Sequence, residues 1–173
     1  MSIRKKGEGV KTPRCMVRIG MAVLVCLMVF LSTAGAESVL PLSTGQTLYV
    51  PAYSHIYSGN NEQPFLLTVT LSIRNIDPGR AILVTKADYY ATQGKQLKSY
   101  VSAPVKLKPL ESIRYVVPER DKSGGSGANF IVEWTSDGPV NPPIVESIMI
   151  GTQIQQGISF TSRGQPITPF SSQ

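Results

Sequence analysis

In Phe65-Leu66-Leu67-Thr68-Val69-Thr70-Leu71-Ser72-Ile73 every second residue is apolar. Phe65, Leu67, Val69, Leu71 and Ile73 share one face of an extended chain, and Leu66, Thr68, Thr70 and Ser72 share the other. A repeat of two marks a half-buried antiparallel strand. The run ends at Asp77-Pro78-Gly79-Arg80, where proline presets the first turn dihedral and glycine accepts a positive φ at the second. The chain is therefore expected to return as a second strand over 81–90. There Leu83, Ala87 and Tyr89 fall on one face and Ile82, Val84 and Tyr90 on the other, the pattern of a central strand covered on both sides.

The same reading extends along the chain. Gln93-Gly94-Lys95 supplies a turn, and 97–101 and 105–107 read as short edge strands parted by Pro104, which cannot donate to a ladder. Ile113, Tyr115 and Val117 alternate up to Pro118, and Phe130, Val132 and Trp134 alternate after a glycine-rich loop. Trp134 is expected in the core. Asp137-Gly138-Pro139 and Pro142-Pro143 read as a connection, 144–153 as a central strand and 158–161 as the last strand. No stretch carries helical periodicity. The prediction is an all-β fold: a two-sheet antiparallel β-sandwich of immunoglobulin-like type, with about seven to nine short strands and no disulfide.

The chain has 173 residues, with 17 basic and 11 acidic side chains, one histidine and two cysteines. Six of the basic residues, Glu8 and both cysteines precede residue 37, which leaves 11 basic and 10 acidic groups beyond it. A net charge of +1 on that part gives no support to a nucleic-acid or anionic-membrane partner. Residues 1–18 are a basic n-region, 19–31 are uninterruptedly apolar, and Ala34-Gly35-Ala36 forms an Ala-x-Ala site. That is the layout of a secretory signal peptide, cleaved after Ala36. The exported part, 37–173, is expected to be a single domain with loose ends at 37–46 and 164–173. The compartment is then periplasmic or secreted, or inner-membrane anchored if the leader is not cleaved.

Four segments carry a family resemblance: Tyr49-Val50-Pro51-Ala52-Tyr53-Ser54-His55-Ile56-Tyr57, Arg74-Asn75-Ile76-Asp77-Pro78, Asp88-Tyr89-Tyr90, and the run from Gly124 to Trp134. They resemble an uncharacterised bacterial family of small exported proteins, classed only as a domain of unknown function. The resemblance implies one exported domain and transfers no activity, ligand or catalytic residue.

Read as an extended strand, 49–57 places Tyr49, Tyr53, His55 and Tyr57 on one face. Flat rings with polar tips suit sugar stacking or a partner surface. These four are the candidate binding residues, while the competing reading has the same stripe closing a sheet. No metal is expected, because His55 has no second histidine and no exported cysteine beside it. Gly124-Gly125-Ser126-Gly127 lacks a following Gly-Lys-Ser/Thr, so no nucleotide cofactor is expected. Asp88, Glu133 and Glu146 lie within expected strands, and two of them facing one groove form the alternative site, a carboxylate pair for glycoside hydrolysis. The leading expectation is a non-catalytic binding module, monomeric or weakly oligomeric, that recognises an envelope protein or glycan. The alternatives are an envelope hydrolase and a purely structural accessory domain.

Overall fold

A computed structural model of the chain describes residues 41–57, 60, 62–152 and 157–167. The chain divides into Met1–Val39 and Leu40–Gln173, and every described residue lies in the second unit. The expected leader and its cleavage point after Ala36 lie outside the described residues.

Twelve strands and no helix occur among the described residues. In chain order they are β1 (Ser43–Pro51), β2 (His55–Tyr57), β3 (Pro64–Leu66), β4 (Thr68–Arg74), β5 (Ile82–Tyr90) and β6 (Gln96–Ser99). Then follow β7 (Val105–Leu107), β8 (Ser112–Val117), β9 (Asn129–Val140), β10 (Ile144–Gly151), β11 (Ile158–Arg163) and β12 (Gln165–Ile167). A six-stranded sheet runs β12-β1-β9-β5-β6, with β7 also paired to β5, and a four-stranded sheet runs β11-β10-β4-β8. The β2–β3 hairpin pairs separately. Every pairing is antiparallel.

The period-two pattern explains the core. Val69, Leu71 and Ile73 of β4 enter one buried cluster with Met149 of β10, Val50 of β1, and Phe130, Val132 and Trp134 of β9. Side chains of both sheets thus share a single core. Truncating one of its large members costs about 2–5 kcal/mol.

Four local expectations are corrected. The strand count is twelve, not seven to nine, because several pairings are only three residues long and carry too little periodicity to register. The ends at 37–46 and 164–173 are not wholly loose: β1 begins at Ser43, and β12 pairs Gln165, Pro166 and Ile167 with Tyr49, Leu48 and Thr47. The chain changes sheets between β11 and β12 at Gly164, whose amide donates to the Val145 carbonyl at 2.8 Å. Asp137-Gly138-Pro139 is part of β9, since pairing with β1 resumes at Val140 beyond a bulge. On β5 a register shift between Val84 and Lys86 changes the phase, so Ile82, Val84, Ala87 and Tyr89 all face the core.

A polar corner ties the turns together. The buried Asn75 donates from Nδ2 to the carbonyls of Arg80 and Lys108, at 2.8 and 2.9 Å, and its Oδ1 accepts from the Asp77 amide. Backbone groups that no ladder serves are satisfied by this side chain instead.

Candidate functional site

The site is built by the passage from β1 to β2. Leu48, Val50, Ala52 and Ser54 are buried in alternation; Tyr49 and Tyr57 are exposed and His55 is half-buried, while the half-buried Tyr53 packs against the edge of the core. The segment is not one continuous strand. Beyond Pro51 the Ala52 amide donates to the Ala128 carbonyl, and the Ser54 amide and hydroxyl both donate to the Gly125 carbonyl. Ser54 in turn accepts from the Leu67 amide, which splits the 65–73 run into β3 and β4. Backbone hydrogen bonds on both sides therefore fix the stem of the aromatic row.

Two of the four aromatic candidates, His55 and Tyr57, come together beyond this stem. His55 Nε2 lies 3.2 Å from the Tyr57 hydroxyl, and the two rings meet edge to face at 5.2 Å and 83°. Which of the pair donates depends on the imidazole tautomer. The other ring nitrogen, Nδ1, is buried without a partner. Tyr57 is 54% exposed, while Tyr53 is half-buried with its ring tilted against Phe160 at 5.7 Å. Phe160, on β11, packs against the core beside Tyr53 and was not singled out by the sequence, where its only signal is the period of two within 158–161. Tyr49 stands apart on the outer face of the six-stranded sheet, 37% exposed, between Ile131 of β9 and Gln165 of β12. Chemically, the cluster offers ring faces for stacking and phenolic and imidazole groups for hydrogen bonds.

The carboxylates are placed differently. Glu133 accepts from Lys86 Nζ at 2.7 Å, a bond that raises the Lys86 pKa against the opposing effect of its partial burial. Glu146 on β10 pairs with Arg74 at 3.4 Å. Asp88 on β5 is 7% exposed, with Oδ1 unpartnered. It lies opposite Ile131 and Ser99, on the same outer face as Glu133. Glu146 belongs to the other sheet. Two of the three acids thus already hold a cation; Asp88 and Glu133 share one face, and Glu146 stands on the other sheet. Among the described residues no group of three or more His, Asp or Glu side chains is placed to hold a metal ion.

The glycine-rich loop uses its polar groups internally. The Gly124 carbonyl accepts from both the Thr92 amide and hydroxyl, and the Gly127 amide donates to the Thr92 oxygen at 2.9 Å. Gly125 has a φ of +81°, which a side chain would resist.

Comparison with known proteins adds a family and a fold neighbour. A family model described as "Protein of unknown function (DUF3124)" matches residues 45–167. The crystal structure of Thermotoga maritima 1070 is similar at 12% identity and a TM-score of 0.41, covering 69% of this chain and 92% of that one. No curated protein matches the chain.

Proposed function

The chain belongs to the DUF3124 family of proteins of unknown function, and from the site itself we propose that it is a non-catalytic binding module of the bacterial envelope. On this reading the leader is removed after Ala36. Residues 37–173 then work as one immunoglobulin-like β-sandwich, in the periplasm or outside the cell, as a monomer or weak oligomer. Tyr53, His55 and Tyr57 contact an envelope protein or glycan, and Tyr49 extends the contact along the sheet.

The observation that carries the reading is the alternation at 52–57. Ala52 and Ser54 are buried and hydrogen-bonded, Tyr53 is half-buried against the core edge, and His55 and Tyr57 follow with the Tyr57 ring exposed. An ordered backbone presenting exposed rings loses little entropy when a partner docks. The pairing of Glu133 with Lys86 and of Glu146 with Arg74 favours binding over acid–base chemistry.

The test is replacement of Tyr49, Tyr53 and Tyr57 by alanine in the full chain, followed by crosslinking in living cells and mass spectrometry of what is captured. A discrete protein or glycan held by the native chain and lost from the variant supports the reading. Its retention by a folded variant refutes it.

A further inference from the structure

A concave site whose lining includes none of Tyr53, His55, Tyr57 and Phe160 lies where the chain crosses from β11 to β12. The Pro142-Pro143 turn, Leu48 of β1 and Val145 of β10 wall a cavity of about 420 Å³, with Ile76 at its mouth. That volume lies within the range of small-molecule pockets, roughly 300–1,000 Å³. Leu48, Pro142, Pro143 and Val145 are buried, and the lining is mostly apolar. The charged group on the lining is Arg163.

Arg163 makes no ion pair among the described residues. Its cross-strand neighbour is Glu146, whose carboxylate pairs with Arg74 instead. An exposed guanidinium with no ion pair among the described residues therefore stands beside an apolar wall. Its planar fork matches a group with two oxygens, and the wall matches a hydrocarbon chain.

We propose that this cavity binds an alkyl chain ending in a carboxylate, with the chain against Leu48, Pro142, Pro143 and Val145 and the headgroup on Arg163. A neutral headgroup would forgo the guanidinium, and a cationic one would be repelled by it. The proposal stands independently of the aromatic cluster.

The experiment is a titration of the full chain with dodecanoate carrying a ¹³C carboxyl, followed by NMR, beside Arg163→Gln, Ile76→Glu and a parallel titration with dodecanol. Saturable binding by the native chain is expected. Arg163→Gln should weaken it by about tenfold or more, the loss of a charge-assisted contact. Ile76→Glu should also weaken it, by placing a carboxylate at the mouth, and dodecanol should bind more weakly than dodecanoate. Both replaced side chains are exposed, so unchanged thermal midpoints verify the fold. Absence of dodecanoate binding, binding indifferent to Arg163→Gln, or equal binding of dodecanol would each overturn the proposal.

Discussion

Asn141 donates twice to one carboxylate oxygen of Asp77, from its backbone amide at 2.9 Å and from Nδ2 at 3.1 Å. The other oxygen accepts the amides of Gly79 and Arg80, both at 2.9 Å. One side chain thereby joins the β4–β5 turn to the β9–β10 turn. The Asn141 backbone bond leads the causes that hold the Asp77 carboxyl below the usual aspartate range, with burial opposing. A lowered folded-state pKa means stability that is present above the unfolded value of 3.8 and lost as pH falls through the folded pKa. Asp77→Ala should therefore be less stable than the native chain at pH 7 and should lose less on acidification to pH 3. Urea unfolding at both pH values checks both signs.

Tyr89 is buried, and its hydroxyl finds no hydrogen-bond partner within bonding distance. Burial pushes the phenol up to about 12, and Ser54 opposes the shift. A raised pKa contributes stability that is intact below pH 10 and lost as pH rises toward 12. Tyr89→Phe should flatten that alkaline loss without abolishing it, because burial also raises Tyr100 and Tyr115. The same ring dictates glycine at 124, where a methyl group would overlap the Tyr89 hydroxyl and meet Ala128 Cβ at 2.8 Å. Gly124→Ala should destabilise by about 1–3 kcal/mol, the usual cost of overpacking, and Tyr89→Phe should recover part of it. A double-mutant cycle in urea measures the coupling.

Leu110 is the non-glycine residue with positive φ among the described residues, at +61°, and it is 69% exposed. It follows Pro109 in a turn closed by the Glu111 amide on the Lys108 carbonyl, so it occupies the glycine position of a type II turn. Leu110→Gly should raise stability by up to about 1 kcal/mol, the relieved strain exceeding the entropy cost of glycine. Thermal unfolding checks the sign.

Much of this was legible in the residues, for identifiable reasons. The faces of 65–73 and 48–57 follow from side-chain alternation, which survives even where hydrogen bonding breaks the strand at Leu67 and at Ala52–Ser54. Trp134 lies in the core as its position on the apolar face indicated. The bulge at Thr85 was not legible, because one inserted residue inverts the later faces and leaves no compositional mark. β12 was missed because Pro166 argues against a strand, yet a proline is tolerated on an edge such as this one. At the candidate site the burial of Ala52 and Ser54 was legible, but Tyr53 packs against the core beside Phe160, which comes from a strand about a hundred positions away. Local periodicity does not reveal such a contact.

Site-specific photocrosslinking in living cells tests whether the aromatic residues form a binding face. A benzophenone side chain would be placed in turn at position 57, in the aromatic cluster, and at position 110, on the exposed turn remote in sequence from it. A binding face at the β2–β3 hairpin gives one discrete adduct from position 57, absent from position 110 and suppressed by Tyr53→Ala. Equal adducts from both positions, or none from position 57 in a folded and exported chain, would contradict it.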